Sequence, residues 1–264
     1  MAKQVDELAS GQGGDERWKD VRPTYQNLAR LIPNRELWVI PEISWSEFFR
    51  WPYEYRAYLT LECGLRPDHR VLELGCGSGR TMLGLHDYLK PPGAYEGLDV
   101  GAHFIDFAQK NIQAKYPYLR FTHADVYHAV YNPGGSASPE EYVFPYPDEH
   151  FDVAFAASLF THLLPGTAAN YLKEARRVLK PGGRCLFSCL VLDGYRDAIA
   201  NGKTPMWKLE DMAPDEAGLA VKNPDSPEDL IAYSLARINE IAAGASLEVE
   251  RVLPGYWTYD DRQS

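Results

Sequence analysis

An apolar run with one acid, residues 71–74, leads directly into five residues with almost no side-chain bulk, Gly75-Cys76-Gly77-Ser78-Gly79. Residues 81–89 then show the apolar spacing of a helix. Glycines allow turns that other residues rarely adopt, and they let the backbone come close to a ligand. A strand, a glycine turn and a helix therefore predict a cradle for a flat, polar, nucleoside-like ligand.

The spacing of the glycines distinguishes two kinds of nucleoside cofactor. A nicotinamide dinucleotide site uses G-x-G-x-x-G, whereas Gly75, Gly77 and Gly79 follow G-x-G-x-G, and Arg80 stands where the third dinucleotide glycine belongs. Glu73 lies two residues before the first glycine, where an acid is unfavourable beside a pyrophosphate but suits a ligand with an ammonium group. This run resembles motif I of the class I S-adenosylmethionine (SAM) dependent methyltransferases.

The elements around this motif alternate between strand and helix along the chain. Strands are expected at residues 70–74, 94–100, 118–123, 151–157, 184–192 and 247–253, and helices at residues 80–90, 102–115, 166–179 and 226–244. This alternation predicts an α/β fold with a doubly wound, mostly parallel sheet. Such sheets bind ligands at the carboxyl ends of their strands. The glycine turn, Asp99 and Asp125 all fall at strand ends and are expected to meet at one edge.

Residues at the strand ends are candidates for holding the cofactor. Asp99 can accept hydrogen bonds from both ribose hydroxyls, or it can be a helix N-cap. Asp125 can accept the adenine amino group while Val126 donates its backbone N–H, or it can be an ordinary turn acid. Val100 and Val126 sandwich the adenine or simply belong to the core. Glu73 is expected beside the methionine ammonium, or else pairs with a lysine or with backbone N–H groups.

The resemblance to the class I methyltransferases runs from about residue 64 to residue 255. Residues 97–100 resemble motif II, residues 124–126 motif III, residues 151–163 motif IV with its following loop, and residues 179–184 the turn before strand five. The pattern resembles that of bacterial small-molecule methyltransferases. It implies a Rossmann-like fold and SAM as cofactor, with S-adenosylhomocysteine as product. The cofactor-binding positions then also include Gly75, Cys76, Gly77, Gly79 and Ser158.

Methyl transfer from a sulfonium is an in-line displacement, and a hydroxyl acceptor must also lose its proton. The resemblance makes His162, in the loop after strand four, the expected base. Alternatively, His162 is a satisfied loop histidine or only shapes the cofactor pocket. Phe160 and Thr161 of the same loop are expected to contact the acceptor.

The aromatic segment before the first strand is expected to cover the cofactor and to supply part of the acceptor pocket. Tyr53, Tyr55 and Tyr58 are the predicted pocket residues, although an aromatic helix can also simply pack on the sheet. The insertion at residues 127–150 and the excursion at residues 193–225 are long enough to form the other walls.

The bulk composition favours a globular protein acting on a small molecule. The chain has 264 residues, is 45% hydrophobic, and carries a net charge of −10. An acidic protein repels a phosphate backbone, the pair Arg176-Arg177 is expected on a solvated helix face, and residues 156–160 lack the Pro-Pro-Tyr-like motif of amino-methylating DNA methyltransferases. We therefore expect neither a nucleic-acid partner nor, since no apolar run approaches about 18–20 residues, a membrane partner.

The four cysteines and the two chain ends complete the prediction. Cys63, Cys76, Cys185 and Cys189 form no C-x-x-C pair, so we expect no metal site, and free thiols without a signal peptide fit the cytoplasm. Residues 1–20 are expected to be a flexible tail, residues 21–66 a helical aromatic cap, and residues 67–264 the SAM-binding domain. The fold's seventh strand should begin near residue 260, so it is expected to be missing or cropped.

Three hypotheses remain from the sequence. The first is a SAM-dependent methyltransferase acting on a small molecule, with O-methylation favoured. The second is a catalytically inactive SAM-fold protein with a binding or regulatory role. The third, a nicotinamide oxidoreductase, is disfavoured by Arg80 in the glycine pattern. The sequence does not indicate the oligomeric state.

Overall fold

The computed structural model describes residues 31–38, 44–204, 207–211 and 218–253. The predicted tail at residues 1–20 and the expected site of a seventh strand near residue 260 lie outside these residues. The division into three domains therefore stays a prediction. Within the described residues, no helix is long and apolar enough to cross a membrane.

A parallel sheet of five strands forms the centre of the molecule. Its strands are β1 (Arg70–Leu74), β2 (Ala94–Asp99), β3 (Leu119–His123), β4 (Phe151–Ala156) and β5 (Leu179–Phe187). They are ordered β3-β2-β1-β4-β5, so that the order reverses at β1. A ligand site is expected beside β1, where neighbouring connections leave in opposite directions.

Both faces of this sheet are buried, as its nearly continuous apolar strands require. Val71 of β1 joins one core cluster together with Phe48 and Leu59 of helix α1 (Trp45–Cys63). Leu72 and Leu74 point to the other face and join a second cluster. The flanking helices are α2 (Ala102–Ala108), which continues as a π-helical turn (Gln109–Gln113), and α3 (Pro165–Val178). The α/β fold predicted from the sequence is confirmed.

A second, smaller sheet follows β5 and was not predicted. It contains β6 (Leu190–Val191), β7 (Glu210–Asp211), β8 (Leu219–Val221) and β9 (Ile231–Tyr233) in the order β6-β9-β8-β7. The helices α4 (Leu192–Ala200) and α5 (Leu235–Gly244) accompany it. Within the excursion at residues 193–225, the described residues include most of α4 and the strands β7 and β8.

The second sheet is attached to the loop that follows β4. Tyr233 of β9 donates a hydrogen bond to the carbonyl of Leu163. The 3₁₀ helix Phe160–His162 in that loop packs against another 3₁₀ helix, Pro227–Asp229, from the second sheet. The second sheet thus lies over the carboxyl edge of the central sheet.

The helix expected at residues 80–90 is replaced by a 3₁₀ helix, Thr81–Gly84, followed by turns. The reason is the close approach of α1. A Cβ atom at Gly84 would overlap the carbonyl oxygen of Pro52, and Arg56 donates to the carbonyl of Gly84 at 3.3 Å. The segment lies flush against α1, and its apolar side chains are buried without a regular α-helix.

Two predictions for the C-terminal part were also wrong. The helix predicted to begin at Ser226 is at first only the 3₁₀ helix Pro227–Asp229, because the apolar residues 230–233 enter the second sheet. The α-helix begins after Ser234, whose Oγ accepts the N–H of Arg237. Residues 247–253 do not form a strand. They contact β5 through the ion pair between Glu250 and Arg184 instead of a backbone ladder.

Candidate active site

A cavity of about 540 Å³ lies at the carboxyl ends of β1, β2 and β4. Its walls come from the glycine turn after β1, the ends of β2 and β3, the loop after β4 and the second sheet. The volume is in the range of small-ligand sites. The edge of the sheet predicted to carry the site is thus the edge that holds this cavity.

The glycine turn has the backbone geometry that its sequence predicts. The φ angles of Gly75, Gly77 and Gly79 are +73°, +52° and +85°, which other residues adopt only with strain. A Cβ atom at Gly75 would lie 3.1 Å from Leu159 Cδ1, across the cavity wall. Gly75, Gly77 and the buried Cys76 line the cavity, whereas Gly79 packs behind it against Phe121.

Asp99 ends β2 and lines the cavity. Its Oδ2 accepts the N–H of Gly77 at 2.7 Å, and its Oδ1 accepts the N–H of Gly101 at 2.7 Å. Burial raises the pKa of Asp99, and these two backbone donors oppose that effect. Each carboxylate oxygen has a second lone pair, so the side chain can still accept two hydroxyl groups of a ligand.

Glu73 is buried in the floor of the cavity and receives hydrogen bonds from side chains instead of backbone groups. Tyr95 Oη donates to Glu73 Oε2, and Thr81 also bonds the carboxyl. Burial raises the pKa of Glu73 to about 8, and these two bonds and the charge of Arg80 oppose the rise. Among the described residues no cation is bonded to Glu73, so an ammonium group entering this site would meet a carboxyl group that can ionise in response.

The predicted adenine residues are brought to the cavity only in part. Val100 and Val126 line it, but the N–H of Val126 already donates to the carbonyl of Ala124 at 2.8 Å. The carboxylate of Asp125 is exposed and is not part of the wall. It accepts a hydrogen bond from Ser136 Oγ at 2.6 Å, which holds it against the insertion.

His162 lines the cavity opposite the glycine turn, and its ring is fixed by the second sheet. The ring Nδ1 lies 3.1 Å from the carbonyl oxygen of Glu228. A carbonyl only accepts, so Nδ1 carries the proton and Nε2 holds the lone pair. Burial lowers the pKa of His162 and keeps the ring neutral. The backbone of Asp229 also interacts with this ring.

A second histidine, His128 from the insertion, supports the position of His162. Its Nδ1 accepts the backbone N–H groups of Val130 and Tyr131, so its Nε2 carries the proton and donates to the carbonyl of His162 at 3.2 Å. The ring of Tyr131 packs edge-on against His162, 5.5 Å between centroids. The two loops that meet here therefore hold the loop after β4 from both sides.

The other site residues predicted in the loop after β4 mainly bond or pack against other parts of the protein. Ser158 lines the cavity, and its N–H donates to Ser188 Oγ at 2.7 Å. Thr161 also lines the cavity, and its hydroxyl donates to the carbonyl of Ser158 at 2.8 Å. Phe160 is buried against Phe187 and faces away from the cavity.

The three tyrosines predicted as acceptor contacts do not line the cavity. Tyr53 and Tyr58 lie on the exposed face of α1, at 43% and 44% exposure. Tyr55 packs near Phe155 and reaches Ser188, whose side chain lies in the wall. The helix turns its phenylalanines inward at this point, so the spacing of α1 places its tyrosines on the other faces.

Sequence reasoning missed several residues of the wall. They are Trp38, Arg80, His128, Tyr131, Lys222, Glu228 and Asp229. Arg80 directly follows the glycine turn, but in the sequence it only argues against a dinucleotide site. No sequence pattern indicates the others, because the folding of the insertion and of the second sheet brings them to the edge.

The residues present fit SAM as a ligand. The turn leaves no side chain between its backbone and the cavity, Asp99 offers free lone pairs at the end of β2, and Glu73 offers a buried carboxyl group beside the turn. These are the groups that a nucleoside with an ammonium group needs. The roles of the individual residues stay predictions.

Comparison with known proteins gives a family match and a set of distant relatives. Residues 71–183 match a family model described as a methyltransferase domain. The tRNA N(3)-cytidine methyltransferase METTL2 of Gallus gallus is 27% identical over 124 residues, 47% of this chain and 30% of that protein. A 2-phytyl-1,4-naphtoquinone methyltransferase of Trichormus variabilis is 27% identical over 150 residues, 56% of each chain.

A solved structure of a SAM-dependent methyltransferase from Leishmania major is similar in fold. The TM-score is 0.52 and the identity is 13%, with 94% of this chain and 82% of that chain covered. The chain spans less than two thirds of the length of either curated relative.

The family match, the glycine turn and the five-stranded parallel sheet lead to one conclusion. Residues 71–183 form a methyltransferase domain of the SAM-dependent type, and the cofactor of that domain is SAM.

Proposed function

We propose that the protein transfers the methyl group of SAM to a hydroxyl group of a small molecule. The observation that supports this proposal is the geometry of His162. Its Nδ1 is bonded to the carbonyl oxygen of Glu228, its ring is neutral, and its side chain lines the cavity that contains the glycine turn.

In this proposal His162 acts as the general base. The carbonyl of Glu228 holds the proton on Nδ1, so Nε2 can accept the proton of an acceptor hydroxyl. Bound SAM supplies a methyl group activated by its sulfonium. The chain aligns the acceptor oxygen with that group and excludes water, while His128 keeps the loop of His162 in position.

The walls of the cavity support a small acceptor over a nucleic acid. Trp207, Leu230 and the ion pair between Lys222 and Asp229 close the cavity on the side of the second sheet. The net charge of −10 also opposes binding of a phosphate backbone. The relatives include one protein named for tRNA and one named for a naphthoquinone, so the acceptor must be determined directly.

The proposal is tested by measuring S-adenosylhomocysteine release with SAM and a panel of small hydroxyl, amine and thiol compounds, with bulk tRNA as a separate arm. We expect turnover with a hydroxyl compound and none with tRNA. The variant His162→Gln should lower kcat by about 10²–10⁴-fold and leave SAM affinity unchanged.

Turnover confined to tRNA would reject the small-molecule proposal. An unchanged kcat in His162→Gln would reject the base. SAM binding without transfer to any member of the panel would favour the alternative of a binding or regulatory protein.

A further inference from the structure

Arg80 is a half-buried cation held between the glycine turn and helix α1. Its guanidinium lies 4.3 Å from the centroid of the Trp51 ring and 5.9 Å from that of Phe48. It also lines the cavity beside Gly77 and Ser78. Burial lowers the pKa of Arg80 to about 10, so the side chain is still charged at neutral pH.

The surroundings of Arg80 supply aromatic faces but no anion bonded to it. Among the residues that the structure describes, no carboxylate lies within ion-pair distance of Arg80, and none accepts a hydrogen bond from its guanidinium. Arg56 of α1 provides a contrast: it also stacks on aromatic rings, but it pairs with Asp87 at 3.2 Å and donates to the carbonyl of Gly84. A half-buried guanidinium between aromatic rings can donate to an anion that a ligand supplies.

Stacking fixes the plane of a guanidinium and leaves its N–H edge for a planar anion. Arg binds carboxylates through two parallel hydrogen bonds, and an aromatic face pre-organises that geometry. Phe48 and Trp51 on α1 therefore hold the guanidinium beside the cavity.

Arg80 and Glu73 lie on the two sides of the glycine turn and are coupled electrostatically. The charge of Arg80 lowers the pKa of Glu73, and that of Glu73 raises the pKa of Arg80. The amino-acid part of SAM carries an ammonium and a carboxylate on one carbon atom, which is the complementary pair of charges.

We infer that Arg80 binds the carboxylate of the amino-acid part of SAM, with its guanidinium oriented by Phe48 and Trp51. This inference concerns the cofactor and does not depend on the proposed acceptor or on His162. It makes Arg80 a positioning residue, because it fixes the end of the cofactor opposite the adenosine.

The test is a calorimetric titration, without any acceptor, of SAM and of decarboxylated SAM, which lacks only the carboxylate. The wild-type protein should bind SAM about 10–100-fold more tightly than decarboxylated SAM, the range of one charge-assisted contact. In Arg80→Gln the affinity for SAM should fall by that factor, while the affinity for decarboxylated SAM should not fall. Arg80→Lys should retain part of the preference, and Arg56→Gln, the matched control, all of it.

Equal binding of both ligands by the wild-type protein would overturn the inference, and that comparison needs no variant to fold. An equal loss for both ligands in Arg80→Gln would also overturn it, because Arg80 would then only shape the pocket. No acceptor is present in these titrations, so their result does not depend on whether the protein methylates a hydroxyl group.

Discussion

At the scale of single residues, two buried acids at strand ends are held by different kinds of donors. Asp99 accepts two backbone N–H groups, which are part of the turn that it stabilises. Glu73 accepts bonds from the side chains of Tyr95 and Thr81, and burial raises its pKa to about 8. Burial raises the pKa of both carboxyl groups, and that of Glu73 reaches about 8, so Glu73 is mostly protonated at neutral pH.

The variant Glu73→Gln should change stability and binding in opposite directions. The carboxyl of the folded protein keeps its proton up to about pH 8, whereas the unfolded chain loses it near 4.5, so wild-type stability falls as the pH rises between these values. Glutamine cannot ionise, and ligand-free Glu73→Gln should therefore be more stable than wild type at pH 8 by on the order of 4 kcal/mol, which raises the melting temperature by about 8–16 °C. The two proteins should be alike below pH 4.5.

SAM affinity of Glu73→Gln should fall by about 10–100-fold if the carboxyl meets the ammonium. Calorimetric titration measures this effect. Glu96→Gln is the matched control, since Glu96 is a buried acid of β2 outside the cavity wall. Unchanged SAM affinity in Glu73→Gln would show that the ammonium binds elsewhere.

The pH dependence of kcat tests His162. Its pKa is lowered from 6.5 by burial, so the ring is neutral at pH 7 and gains a proton only under more acidic conditions. We expect kcat to be constant above pH 7 and to fall on an acid limb with a midpoint below 6.5, because the protonated ring cannot act as a base. The limb should be absent in His162→Gln.

The control for this profile is His150→Gln. Burial also lowers the pKa of His150, but this residue lies at the amino end of β4, away from the cavity. Its variant should keep the acid limb. A limb that persists in His162→Gln would assign it to another group.

At the scale of elements, the contact between α1 and the 3₁₀ helix Thr81–Gly84 requires a residue without a side chain at position 84. Gly84→Ala should destabilise the protein by about 1–3 kcal/mol, because the added Cβ overlaps the Pro52 carbonyl oxygen and must push α1 outward. Chemical denaturation measures this loss. Gly194→Ala in α4, where a Cβ meets no atom within 4 Å, should instead be neutral or stabilising.

Arg177 attaches the insertion to α3, although its sequence context predicts a solvated helix face. Its guanidinium bonds Glu174, the side chain of Asp148 and the carbonyls of Phe144 and Tyr146. Arg177→Met should cost about 3–5 kcal/mol, since it leaves the buried Glu174 without its cation. The exposed neighbour Arg176→Met should cost little, and an equal loss in both variants would contradict this account.

The elements divide into those that sequence periodicity predicts and those that it does not. The strands β1 to β4 and helix α3 are long apolar runs between clear turns, and their predicted positions are close to the observed ones. The strand β5 begins and ends five residues before the strand predicted at residues 184–192, because Leu179 already pairs with β4. The second sheet has strands of two or three residues, too short to show an alternation. The 3₁₀ helix at Gly84 and the exposed tyrosines of α1 depend on tertiary packing, which local spacing does not report.

The candidate site divides in the same way. Glu73, the glycines and Asp99 are local consequences of strand ends, and the sequence indicates all of them. Asp125 also ends a predicted strand, but the fold of the insertion directs its carboxylate toward Ser136. The surroundings of His162 come from residues 34 and 66 positions away in the sequence, so its tautomer could not be predicted.

At the scale of the whole molecule, two layers contribute to one cavity. The central sheet supplies the cofactor side, and the second sheet with the insertion supplies the side of His162. A ligand on the cofactor side should therefore stabilise the fold without an acceptor. At 100 times its dissociation constant, S-adenosylhomocysteine should add about 2.7 kcal/mol, a rise in melting temperature of about 5–10 °C.

Thermal unfolding with and without S-adenosylhomocysteine measures this effect, with NADH as the control ligand. NADH should cause no shift. In Asp99→Ala the shift should shrink strongly at the same ligand concentration, since two charge-assisted bonds are worth about 2–4 kcal/mol of binding. A full shift in Asp99→Ala would contradict the placement of the ribose at the end of β2.

The hydrogen bond from the His162 ring to the main chain of Glu228 affects which substitutions the protein tolerates. The acceptor in that bond is a carbonyl oxygen, which every amino acid carries. Substitutions at position 228 can therefore alter the wall of the cavity while the proton stays on Nδ1. The bond that orients His162 therefore does not depend on which side chain position 228 carries.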